Sequence, residues 1–195
     1  MKIDWDYPRP RDGWNGALDR FVGPGATRAE IVLQFGFAAG IAVAAFGWFL
    51  AVRGGQDGWL VQAVILLIAF DMGGGVATNS TAAAKRWYHR AGQGRRQHLT
   101  FVAVHGLHIL AVGWLCVPDP WTYVAVVYTA ILAGAAAIIL APLYLQRPIA
   151  LCLVALAIIA SNLPLLAVPG LEWFAPLLAL KLWAAHLLKE APFAP

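Results

Sequence analysis

The chain has 195 residues, 61% hydrophobic and only 12% charged, whereas a soluble domain carries about 25% charged residues. Its net charge of +4 comes from Lys and Arg that flank apolar runs instead of covering one face of a soluble domain. Nucleic acid is therefore excluded as a partner and membrane lipid is expected. The composition predicts an all-α, polytopic integral membrane protein.

Residues 1–29 form a segment of their own, with five Lys/Arg, four Asp and the aromatics Trp5, Trp14 and Phe21. Pro8, Pro10, Gly13, Gly23, Pro24 and Gly25 break any long helix. The segment lacks the apolar core of a signal peptide, so the first long helix is expected to serve as an uncleaved targeting signal. Either an interfacial segment or a partly disordered tail fits this composition.

Residues 30–190 read as one transmembrane domain of about six helices: Glu30–Val52, Gly58–Ala84, Leu99–Val117, Trp121–Leu145, Pro148–Val168 and Leu171–Leu188. A span needs about 20 apolar residues, and the second run is longer, so its end should project beyond the hydrocarbon. Gly36 and Gly40 are expected to let a neighbouring helix approach closely, as are Ala130, Ala133, Gly134 and Ala137. Gly73-Gly74-Gly75 should loosen the second helix or seat a neighbour. Cys116 and Cys152 fall near opposite faces, out of disulfide reach, and read as small apolar packing residues.

Orientation follows from charge. With six spans, both termini share a side with the second and fourth connectors. That side holds twelve Lys/Arg, the other only Arg53, and Lys181 lies within a span. Lys and Arg collect on the cytoplasmic side, so both termini are expected in the cytoplasm of an inner-membrane, multi-pass protein.

The residues that carry chemistry lie in the cytoplasmic half. At about 1.5 Å of rise per residue, Asp71 sits roughly 12 Å above Asn79, His105 and His108 roughly 9 and 14 Å inside Leu99, and Lys181 roughly 12 Å above Lys189. Three helices thus bring ionisable groups to one depth, where such groups mark function. Asp71, Gly75 and Asn79 share one helix stripe, and His98, His105 and His108 share another. Lys181 and His186 stand about 140° apart on a regular helix and should not face one spot. Gln34, Tyr144 and Gln146 are expected nearby.

Three readings stand side by side. In the first, Asp71, His105 and His108, with His98 or His186, hold a divalent metal, zinc or iron, and the protein is an enzyme acting on a lipid or other amphiphile. Lys181 then stabilises developing negative charge, and Asn79 with the Lys85–Arg96 connector contacts a headgroup. A b-type haem between histidines needs no motif and stays open. In the second, the same groups relay protons or bind an anion in a small transporter. In the third, Asp71 and Lys181 form a buried pair that fixes helix register in a scaffold or accessory subunit, as a homo-oligomer or within a larger membrane complex. His89 and His98 taken singly read as interfacial.

Overall fold

The computed structural model describes residues 2–194. Helix α1 (Gly13–Val22) is short and amphipathic, with Trp14, Leu18 and Phe21 exposed along one stripe and Arg11 paired to Asp19 at 2.7 Å. The N-terminal segment is thus folded. Residues 2–4 pair with 192–194 through Asp4 N–H to Pro192 O (2.8 Å) and Ala194 N–H to Lys2 O (2.9 Å). The two terminal segments therefore lie together, at what is called here the basic end.

Among the described residues, five helices are long and apolar enough to cross a membrane: α2 (Arg28–Arg53), α3 (Trp59–Ser80), the pair α5 (Arg95–Val104) and α6 (Gly106–Cys116), α7 (Pro120–Leu140) and α8 (Leu143–Ala160). The chain is a multi-pass membrane protein. Helix α2 opens with a capping box: Thr27 N–H donates to Glu30 (2.7 Å) and Glu30 N–H to Thr27 Oγ1 (3.1 Å). Trp48, Trp59, Trp114 and Trp121 stand exposed at the Arg53 end, where indoles favour the headgroup level.

The expected sixth span is different. Helix α9 (Phe174–Ala179) runs straight into a π-helical stretch, Leu180–His186, and together they are shorter than the expected Leu171–Leu188. Thirteen residues reach about 20 Å, well under a hydrocarbon core of about 30 Å. This element is buried on most of its faces, packed against α3, α7 and α8, so it forms the centre of the bundle.

Other boundaries also move, each for a local reason. The second helix does not run on to Ala84. Thr81 is extended at φ −74°, ψ 151°, and its hydroxyl accepts from Ala84 N–H (3.3 Å), starting the separate helix α4 (Ala82–Tyr88). Helix α7 stops at Leu140 because Ala141 precedes Pro142 and takes ψ 150°. Helix α8 ends at Ala160 and not Val168. Ser161 Oγ and Asn162 Nδ2 both donate to Ile158 O (2.8 Å each), and Pro164 cannot continue the ladder.

The glycines also sort themselves. Gly36 and Gly40 face outward with open space around them, and the buried stripe of α2 is Gln34, Ala38, Ala42, Ala45 and Phe49. The α3 helix runs unbroken through the Gly triplet. A Cβ on Gly73 would sit 2.7 Å from Ile41 Cβ, so the triplet seats side chains closely and does not loosen the helix. Gly134 of α7 likewise seats the Trp183 ring, whose Nε1–H donates to Ile131 O at 3.0 Å. Cys116 and Cys152 are free thiols, but Cys152 is exposed on the bundle exterior and not packed.

Candidate functional site

The stripe Asp71, Gly75, Asn79 on α3 faces the π-helical stretch. Lys181 Nζ donates to Asp71 Oδ2 at 2.5 Å, and its aliphatic stem lies across Gly75, where a Cβ would come 2.6 Å from Lys181 Cδ. One turn toward the basic end, His186 Nδ1 stands 3.3 Å from Asn79 Oδ1. Lys181 and His186 thus both face α3 but meet it at different places, Lys181 at Asp71 and His186 at Asn79, so they share a helix and not one spot. The i→i+5 bonding, seen in Leu187 N–H to Leu182 O (3.1 Å), widens the turn and brings residues five apart toward one face.

All five histidines of the chain join this interface. His89 and His98 stack at 4.6 Å between ring centres; His98 Nδ1 is 3.1 Å from His186 Nε2; the Phe101 ring stacks on His186 at 3.8 Å and lies 4.6 Å from His105; His105 stacks on His108 at 5.2 Å. His108 Nε2 then reaches Asp71 Oδ2 at 3.1 Å. The result is one row from the basic end to the Asp71–Lys181 pair.

The partners assign the neutral tautomers. Asn79 Nδ2 donates to Gly75 O (2.8 Å), leaving Oδ1 as acceptor, so His186 carries its proton on Nδ1. His186 Nε2 then accepts from His98 Nδ1–H. His105 Nδ1 donates to Phe101 O (2.7 Å), His89 Nε2 to His186 O (3.0 Å) and His108 Nε2 to Asp71. The hydrogen bonds from His98 through His186 to Asn79 all point inward. His108 Nδ1 is buried with no partner among the described residues. Its lone pair is free, beside a carboxylate.

Of the residues expected to bind metal, Asp71, His105 and His108 do come together, and His98 and His186 form a second group nearer the basic end. No three His, Cys, Asp or Glu side chains among the described residues form a metal cage. The donor geometry gives the reason. Lys181 occupies Asp71, Phe101 O occupies His105 Nδ1, and the His105 and His108 rings lie within 14° of parallel, so their lone pairs do not converge.

Several participants were not foreseen. His89 belongs to the row instead of the interface alone, and burial, with the nearby His98 and Lys85, holds its pKa down to about 3. Phe101 is the spacer between two imidazoles. Lys85, expected among headgroup contacts, is buried and donates to Ala185 O and Leu188 O at 2.6 Å each, closing the end of the last helix; burial lowers its pKa to about 8. Thr78 Oγ1 donates to Gln34 Oε1 (3.0 Å) beside a cavity of about 80 Å³ that reaches Asp71 between α2 and α3. Gln34 is therefore near the site, Gln146 shares a cleft at the basic end with His89 and His98, and Tyr144 lines a separate surface cleft. Comparison with protein-family models, curated proteins and solved structures finds no match to this chain.

Proposed function

We propose that this chain is a membrane-embedded proton-relay protein, acting as or within a small proton-coupled transporter. The supporting observation is the single row of five imidazoles that ends on Asp71 and Lys181. A structural ion pair needs only Asp71 and Lys181, and it leaves the gathering of every histidine at one interface without a cause. Carboxylate and histidine chains inside membranes are the usual proton carriers.

A proton arriving at His98 Nε2 releases Nδ1–H to His186, and His186 passes Nδ1–H toward Asn79. Beyond that point Phe101 separates the two imidazole groups, and the Lys181 stem covers Gly75 between Asn79 and Asp71, so the remaining step to His105 and His108 needs water that enters past Phe101 when the relay operates. At the far end, a proton on His108 Nδ1 makes an imidazolium that competes with Lys181 for Asp71. That competition is the switch: the carboxylate holds one cation strongly, and loading His108 loosens the other. The positive-inside rule supports a cytoplasmic basic end and hence loading from the cytoplasm.

The test is a pH jump on oriented proteoliposomes with charge movement read by electrometry. The wild type gives a transient inward displacement that Asp71→Asn abolishes. A wild-type signal equal to that of protein-free liposomes, or one untouched in Asp71→Asn, overturns the reading.

One observation favours a second reading. The unpartnered His108 Nδ1 could contact a divalent metal in an enzyme acting on an amphiphile, with Asp71 freed from Lys181. Metal copurifying in stoichiometric amount, and lost in His108→Ala, would support that reading.

A further inference from the structure

At the basic end, a cleft of about 500 Å³ opens between the start of α5 and the α7–α8 connector. Its lining includes Arg95, Lys189, Gln93, Gln146 and the imidazoles of His89 and His98, and it contains no carboxylate. Neither Arg95 nor Lys189 makes an ion pair among the described residues; Lys189 lies over the Trp5 ring at 5.0 Å. The ten-residue helix α5 begins at this cleft. Gly94 N–H is taken by Gln97 Oε1 (3.0 Å), and the N–H groups of the first turn that follows have no intrahelical partner, at the end where a helix favours anions. Arg95, the α5 N–H groups and the Gln93 amide thus line one space with nothing negative in it, and Lys189 stands at its edge.

The geometry points to a binding site for a phosphate group. Arg95 and the α5 N–H groups hold two of its oxygens, Lys189 swings from the Trp5 ring to supply the second cation, and Gln93 donates from the side. Leu140 and Leu143 line the cleft beside its polar groups, which suits a headgroup with acyl chains attached. The same chemistry suits an anionic phospholipid headgroup or a soluble phosphate compound. The assignment stands on the cleft and its charges, and does not rest on the relay.

The test uses the full chain purified with phosphatidylcholine as carrier lipid. Retention of phosphatidylglycerol is counted by native mass spectrometry in the wild type, in Arg95→Gln/Lys189→Gln, and in a control, Arg96→Gln/Lys2→Gln, that removes equal charge outside the cleft. All four positions are exposed, so helix content should not change. The wild type and control retain phosphatidylglycerol several-fold over phosphatidylcholine, and the cleft variant loses that preference. Millimolar inorganic phosphate identifies the source: displacement of the lipid assigns the site to soluble phosphates, and persistence assigns it to headgroups. Where the wild type shows no lipid preference, protection against thermal unfolding by inorganic phosphate that the cleft variant lacks also supports the site. Equal retention of both lipids with no phosphate effect overturns the site, as does a cleft variant that behaves like the control.

Discussion

At the Arg53 end of the bundle, Phe49, Ile65, Val112, Tyr123 and Phe174 fill the interior, and the polar groups turn outward: Arg53 to Asp57 (2.7 Å), Trp48 to Glu172 (2.9 Å). At the basic end the same set of helices turns inward Gln34, Thr78, Asn79, Lys85, His105, Lys181 and His186, all buried. In hydrocarbon, an apolar interior gains little over contact with lipid beyond packing, whereas a polar interior must satisfy every group it buries. The Arg53 end therefore acts as a packed wall, and the basic end as a site kept despite its cost.

The largest effect expected is at the ion pair. Lys181 is almost fully buried, and Asp71 is 39% exposed at its side chain and keeps His108 as a second partner. Asp71→Asn leaves the buried ammonium alone and should cost about 3–5 kcal/mol in thermal unfolding. Lys181→Met should cost less, and the double variant should recover most of the loss. A double variant as unstable as the sum of the singles would mean that the pair is not coupled.

The apolar end gives the counterpart. Phe49→Ala should cost about 3 kcal/mol through the cavity it opens, yet leave the pH-jump signal in place. A signal lost there as completely as in Asp71→Asn would erase the distinction between the two ends.

Two glycines sharpen the same contrast. Gly75→Ala drives a methyl into the Lys181 stem and should cost about 1–3 kcal/mol while weakening the ion pair. Gly36→Ala meets open space and should be neutral or gain up to about 1 kcal/mol. Stability measured for both variants checks the packing directly.

The last contrast is in pH dependence. His89 stays neutral in the fold until about pH 3, while the unfolded chain takes up its proton below about pH 6.5. Its contribution to stability is complete above about pH 6.5 and falls as the pH drops toward 3. The melting temperature of the wild type should therefore decline by a few degrees in that window. His89→Gln should flatten the decline; an unchanged slope would place its cause elsewhere.

Hydropathy located the long helices, and rise per residue brought Asp71, His108 and Lys181 to one level, because both depend only on regular helices. The π-helical stretch escaped, since no residue type announces i→i+5 bonding, and with it went the shared facing of Lys181 and His186. Gly36 and Gly40 misled because small-residue spacing marks a face without saying whether a partner covers it. Phe101 was missed although its spacing carried the signal: it follows His98 by three and precedes His105 by four, on the same stripe. The short last helix was not legible, because length alone does not tell a span from an element enclosed by its neighbours.

The central claim is that protons reach the interior along the histidine row. It is tested most directly by nitrogen NMR of histidine-labelled protein in nanodiscs, reading tautomers and exchange with water. The account predicts a Nδ1–H tautomer at His186, a hydrogen bond across His98 and His186, and water exchange reaching His105 and His108 on a millisecond scale. Imidazole protons at His105 and His108 that stay protected for hours, with His98 and His186 unlinked, would contradict it.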